Sequence, residues 1–149
     1  MNFERNGLIY RSYNTSSKDK EFIDELASDL KVRQYISNIK KKNHITNSFY
    51  NTPFIVSDID TLEDIGYVYF YEPYLDTLDL VYAIHPEHRM LGYGTRMVDG
   101  ACDFILNKEE SIDMVSLIIN PSNEASIATA LSSGFERVGN IRYERGRKR

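Results

Sequence analysis

The sequence predicts an α/β domain, α+β in schemes that keep mixed sheets apart, and three observations carry the prediction. Leu78 to Ile84 is an apolar, partly β-branched run of strand length. Directly after it, Thr95 to Leu106 places Met97, Val98, Ala101, Cys102 and Ile105 at helical spacing. Asp113 to Ile119 is then almost continuously apolar, the pattern of a strand in mid-sheet beside a parallel neighbour.

The remaining elements follow in chain order. Asn6 to Tyr13 reads as a first, edge-compatible strand, with Leu8 and Tyr10 on one face and Ile9, Arg11 and Tyr13 on the other. Ser16-x-x-Asp19 has the form of a capping pair ahead of a helix whose apolar face is Phe22, Ile23, Leu26 and Leu30. A second helical piece over 32–39 closes on Lys40-Lys41-Lys42, where cations suit a helix C-terminus; a binding patch is the other reading of that run. His44 to Asn51 is polar and aromatic without a period and reads as a loop able to contact substrate. Pro53 to Ser57 and Ile65 to Glu72 form an antiparallel hairpin around an acidic turn, 58–64. Tyr67, Tyr69 and Tyr71 share one face of its second strand, either lining a pocket or packing under a helix. Asn123 to Ser132 is a helix stopped by Gly134, and Phe135 to Val138 with Ile141 to Glu144 make a last strand or a hairpin around Gly139-Asn140.

At 149 residues the chain is read as one domain over 1–149, with 145–149 as a disordered basic tail. Hydrophobic residues make up 42% and charged residues 27%, an ordinary globular balance with no run near the length of a membrane span. Met1 to Arg5 lacks the pattern of a secretory signal, and the lone Cys102 excludes an internal disulfide and a multi-cysteine metal site. Cytoplasmic residence, no membrane and no metal are the resulting expectations. The net charge of −4 is lopsided: 43–88 holds no Lys or Arg, while the chain after Phe135 is basic. That split argues against nucleic acid, which wants a continuous basic stripe. It suits either an enzyme pairing a cationic amine with an anionic cofactor, or loops that acids merely solubilise.

The chemistry concentrates between the central strand and its helix. In Arg89-Met90-Leu91-Gly92-Tyr93-Gly94-Thr95, two alternate glycines open a helix whose first N–H groups lack intrahelical partners, a place that attracts phosphate. Alone, such a Gly-x-Gly is equally a tight turn. A second signal is Asn123-x-x-Ser126 opening a helix that ends at Gly134-Phe135. Together, over roughly 78–139, they resemble the GNAT superfamily of acetyl-CoA-dependent N-acetyltransferases, in motif spacing most like the branch acting on ribosomal-protein N-termini.

The resemblance implies a mixed, mostly antiparallel sheet flanked by helices, with a splayed V between the fourth and fifth predicted strands. Acetyl-CoA would be the co-substrate and a small-molecule or peptide amine the acceptor; the sequence leaves a homodimer open. Arg89 to Thr95 would hold the pyrophosphate, with Arg89 adding charge or bracing the loop. The arm would lie along the backbone near Ile84, whose neighbouring N–H would polarise the thioester carbonyl. Asn123 would contact the arm or a water, and Ser126 would do the same or cap its helix.

The chain departs from the pattern at the proton-transfer positions. The tyrosine that many relatives carry seven residues after the motif asparagine is Ala130 here, and the usual carboxylate slot on the central strand is Leu78. Asp79, beside that slot, is the candidate catalytic base if a bulge turns it inward. Tyr143 is a candidate for the missing acid. Relatives also finish with a strand that this chain has little length to form. An acetyltransferase is the first reading, and a catalytically silent acyl-CoA-binding module the second.

Overall fold

A computed structural model describes residues 2–36, 39 and 48–147. Two strands, β1 (Asn2–Arg5) and β2 (Leu8–Ser12), open the chain. Helices α1 (Ser17–Ser28) and α2 (Leu30–Tyr35) follow, then β3 (Pro53–Asp58), β4 (Asp64–Phe70) and β5 (Thr77–Ile84). A single 3-10 turn, Pro86–His88, leads into α3 (Tyr93–Lys108). β6 (Met114–Ile118), α4 (Glu124–Ser132), β7 (Glu136–Arg137) and β8 (Arg142–Gly146) complete it. The sheet has eight strands in the order β1-β2-β3-β4-β5-β6-β8-β7, antiparallel throughout except between β5 and β6.

Where the sequence reading has one strand over 6–13, the structure has a hairpin. Asn6 and Gly7 both take positive φ, 56° and 73°, as a two-residue turn matched to strand twist requires. The extra strand renumbers the expected V, which lies between β5 and β6. The expected helix from Ser16 breaks at Asp29, so Leu30 is 78% exposed instead of lying on the apolar face. Asp29 terminates α1 and caps α2, accepting from the Val32 N–H at 3.1 Å. The lysine run 40–42 and residues 43–47 of the expected substrate loop, His44 among them, lie outside the described residues.

Residues 145–147 of the expected disordered tail are ordered. The basic end forms a paired strand through Gly146, with β8 bonded to both β6 and β7. Arg145 is only 7% exposed and donates to Asp99 at 2.7 Å. Arg147 donates to the carbonyls of Leu106, Glu109 and Ile112, satisfying the C-terminal end of α3. Arg145 and Arg147, read as part of a disordered tail, are thus engaged by a buried pair and a helix end, while 148 and 149 lie outside the described residues.

Two cores sandwich the sheet. On one side α3 and α4 cover Phe54, Val56, Val68, Phe70, Leu78 and Leu80. On the other, α1 and α2 cover Ile55, Tyr67, Tyr69 and Ala83 with Phe22, Ile23 and Leu26. Tyr67 and Tyr69 are therefore packing residues, whereas Tyr71 is only partly buried at the edge of that core. Phe3 stacks between Tyr10 and Phe104 with centroids 4.3 and 3.7 Å away, and the Tyr10 hydroxyl donates to the Met97 carbonyl at 2.7 Å. These contacts fix α3 against the sheet and so fix where its N-terminus points.

Close approach at the head of β5 depends on Gly66. A Cβ there would sit 2.8 Å from the Ala83 carbonyl oxygen and 2.9 Å from the Met97 sulfur. Gly66→Ala is expected to destabilise the fold by about 1–3 kcal/mol, read as a lower urea midpoint at unchanged slope; an unchanged midpoint would show that strand and helix can separate at no cost.

Candidate functional site

The site begins where β5 and β6 part. Their parallel pairing covers only Thr77↔Met114, Leu78↔Val115 and Asp79↔Ser116, although β5 runs on to Ile84 and β6 to Ile118. Each strand keeps its outer partner past that point: His85 N–H donates to the Ile65 carbonyl at 2.9 Å, and Ile119 N–H to the Ile141 carbonyl at 2.7 Å. The result is a V whose two lips belong to well-anchored strands.

Alternation decides which backbone groups face into it. Tyr71 N–H donates to the Asp79 carbonyl, and the β4–β5 register runs unshifted from Leu80 to Ile84. Asp79, Val81, Ala83 and His85 therefore direct their N–H and C=O groups at β4, and Leu80, Tyr82 and Ile84 direct theirs at the V. Ile84 thus stands on an edge that offers a strand-like hydrogen-bonding row. The side chains of Leu80, Tyr82 and Ile84 all belong to the α3/α4 side.

Above the V stands the start of α3. Gly92 is its N-cap with φ 82°, a left-handed conformation that favours glycine, and no side chain caps the helix. The first-turn N–H groups of Tyr93, Gly94 and Thr95 therefore face outward beside the V's mouth. Gly94 serves packing, since a Cβ there would lie 3.1 Å from Thr129 Oγ1 on α4. Met90, itself at φ 62°, and Leu91 project into solvent, 101% and 62% exposed.

Bracing comes from residues on every side. Arg89 pairs with Asp29, tying the loop to the α1–α2 junction. The Tyr93 hydroxyl donates to Asp58 at 2.6 Å, and that carboxylate pushes the phenol's pKa up while the phenol pulls Asp58's down. His85 stacks on Phe22, hydrogen-bonds Glu25 through Nε2 at 2.6 Å, and accepts from the Glu87 N–H through Nδ1. His85, Glu87 and His88 bring ligand atoms within 4.8 Å of one another, but both ring nitrogens of His85 already serve this bracing.

Other expected residues fall as follows. Asn123 caps α4, accepting from the Ser126 N–H at 3.2 Å, and Ser126 Oγ lies 2.7 Å from the Tyr82 hydroxyl. Asp79 sits at the apex of the V. No bulge turns it, because the register shift in this sheet is in β3 at Val56/Ser57, so it stays on the α1/α2 side. There it is half exposed, 3.6 Å from Arg142, which donates to Ser116 at 2.6 Å. Tyr143 is 3% exposed in the α3/α4 core on β8, which lies beyond β6 from the V. Part of the acidic middle is engaged: Asp58 by Tyr93, Asp64 by Arg11 and Ser57, Asp79 by Arg142. Sequence reading missed Asp29, Tyr82 and Arg142. Only Asp29 had a local signal, an acid three residues before the Val32 N–H that it caps.

An open groove of about 900 Å³ runs between α1 and the β5–α3 loop, with Glu21, Asp24, Glu25, Asp29 and Glu87 along it. Among the described residues no helix is long and apolar enough to cross a membrane.

Arg89 holds the Asp29 carboxyl below the usual carboxylate range; burial opposes this, and the Val32 N–H assists. A depressed folded-state pKa gives stability that is fully present above the unfolded value, near 3.9, and is lost as pH falls through the folded value. Asp29→Asn, which keeps the cap, is expected to cost roughly 1 kcal/mol at pH 7, a difference that shrinks in acid. Urea titrations at several pH values measure it; a pH-independent difference would remove the ion pair's role.

The comparisons with known proteins agree with this geometry. A family model described as an acetyltransferase (GNAT) domain matches residues 7–136. No curated protein matches. Among solved structures, a spermidine N-acetyltransferase from Vibrio cholerae, in complex with CoA and spermine, superposes with TM-score 0.77 at 17% identity, covering 94% of this chain and 95% of that one. An aminoglycoside acetyltransferase in complex with coenzyme A gives TM-score 0.74 at 16% identity over 94% and 95%. The ribosomal-protein-S5-alanine acetyltransferase of Vibrio fischeri gives 0.68 at 15% over 98% and 96%, so the ribosomal-protein branch is one neighbour among several. With a strand pair that opens into a V, an uncapped glycine helix start above it and a family model spanning most of the sequence, this chain belongs to the GNAT acetyltransferase family.

Proposed function

We propose that this protein, acting over its whole length as one domain, is an N-acetyltransferase that moves an acetyl group from acetyl-CoA to the primary amine of a cationic small molecule or a peptide N-terminus. The observation that carries the reading is the unpaired edge of β5 beneath an uncapped helix start. Among the described residues no strand pairs with this edge beyond Asp79: its N–H and C=O groups suit an extended amide-bearing arm, and the helix start suits a pyrophosphate. The acidic groove beside the loop supports a cationic acceptor.

In this reading the N–H groups of Tyr93, Gly94 and Thr95 hold the pyrophosphate, and the β5 edge from Leu80 to Ile84 orients the arm. Arg89 holds the loop through Asp29 and leaves the phosphates to backbone donors. Bound acetyl-CoA supplies the thioester. The β5 N–H groups that face the V polarise its carbonyl, and holding amine and thioester together supplies much of the rate. Asp79, at the apex, takes the proton that the amine releases, directly or through a water, while Arg142 and Ser116 hold its side of the cleft in place.

Three measurements test this. Thr95→Glu places an acid in the first turn, which suits a helix start, so the fold should hold or gain slightly; calorimetry should show acetyl-CoA affinity falling at least about tenfold, the effect of roughly 1.4 kcal/mol, and undiminished affinity would refute the phosphate assignment. Asp79→Asn should lower kcat by about 10²-fold with acetyl-CoA affinity kept, and a rate near wild type would remove Asp79 as the base. Incubation with acetyl-CoA and an amine array holding spermidine, kanamycin and an alanine-starting peptide, read by mass spectrometry, should give an acetylated product; amine-independent behaviour throughout would favour the silent binding module.

A further inference from the structure

The tyrosine hydroxyl expected from α4 is missing, because Ala130 fills that position and is fully buried. A different tyrosine reaches the same helix face. Tyr82 lies on β5 within the V, three residues past Asp79, where the last parallel bridge stands. Its N–H and C=O face the cleft, while its side chain crosses to α4, where its hydroxyl is 2.7 Å from Ser126 Oγ. Ser126 and Ala130 are four residues apart and stack on one face of α4. The phenol from β5 therefore arrives one helical turn from the place where a hydroxyl from α4 would stand.

Resting on the acetyl-transfer reading above, we propose that Tyr82 is the general acid of this enzyme, giving its hydroxyl proton to the sulfur that leaves. The amine nitrogen bonds to the carbonyl carbon as the carbon–sulfur bond breaks, and that bond's electron pair goes to sulfur. Tyr82 delivers its proton there, making the free thiol. Asp79 receives the proton that nitrogen gives up and passes it to solvent. Solvent returns one proton to the Tyr82 oxygen by way of Ser126 Oγ, so the enzyme ends as it began.

The surroundings suit the role. Burial pushes the phenol's pKa up, and its hydrogen bonds to Ser126 and Thr129 bring it only part of the way back, so the group stays protonated and able to donate at neutral pH. Ser126 can donate to the phenol oxygen or accept from it, which lets the Tyr82 proton point at a ligand without leaving the oxygen unpaired. Tyr143, the candidate acid of the sequence reading, is on the far side of β6.

The test uses Tyr82→Phe, which removes one oxygen and keeps the ring. Single-turnover acetyl transfer to whichever of spermidine, kanamycin or the alanine-starting peptide the wild type acetylates should slow about 10²-fold, with acetyl-CoA affinity by calorimetry within about threefold. A second readout does not depend on turnover. In the complex with coenzyme A, the thiol is titrated by its ultraviolet thiolate absorbance. A hydroxyl donating to sulfur stabilises the thiolate, so the bound thiol should titrate below free coenzyme A in the wild type, and Tyr82→Phe should raise it by roughly one to two pH units. The wild-type titration stands even if the variant fails to fold. A variant rate within about threefold of wild type, or a bound thiol that titrates like the free one, overturns the assignment while leaving the acetyl-transfer reading intact. A wild type that binds acetyl-CoA and acetylates no amine overturns that reading, and the acid with it.

Discussion

Everything at the candidate site depends on two neighbouring strands that stop bonding to each other while both remain bonded elsewhere. β5 keeps β4 to its last residue and β6 keeps β8, so the V is held open by its outer walls. Backbone N–H and C=O groups cost free energy when they are left without partners, and past the last bridge the inner edge of β5 carries those of Tyr82 and Ile84. An edge of this kind is a liability in a closed protein and a binding surface in one that receives an extended ligand. The proposed acetyl-CoA site is this edge together with the helix start above it.

Keeping such an edge in place requires stiffness nearby, and the charged residues supply it. Asp29 ends one helix, begins the next and holds Arg89, so a single carboxylate ties two helices to the loop. Asp58 anchors the first residue of α3 through the Tyr93 hydroxyl. Arg11 forms paired hydrogen bonds with Asp19 at 2.8 Å and reaches Asp64, joining β2, α1 and β4. Part of the charge in the sequence is thus a framework. What remains for an acceptor is the groove along α1, where Glu21, Asp24, Glu25, Asp29 and Glu87 lie next to the loop.

Sequence legibility followed the range of the signal. The strand, glycine turn and helix from Leu78 to Leu106 were readable because hydrophobic period and turn chemistry are local. The Asn6-Gly7 hairpin was equally local and was missed, since the residues around it were read as one strand. Tyr82, Arg142 and the fate of the basic end could not be read, because each depends on which strand lies next to which. Tyr82 reaches Ser126 from 44 positions away, Arg142 meets Asp79 across two strand pairings, and Arg147 finds α3 only after β8 has paired with β6. Gly94 is a subtler case: its place in the motif was legible, but its missing side chain makes room for Thr129.

The most direct test of the open edge is amide hydrogen exchange resolved along β5, with and without saturating acetyl-CoA. In the free protein, Val81 and Ala83, bonded to β4, should be protected while Tyr82 and Ile84 exchange quickly, and the ligand should protect the latter pair. If Tyr82 and Ile84 were already as protected as their neighbours, or stayed fast with acetyl-CoA bound, the V would not be the place where the acyl donor lies.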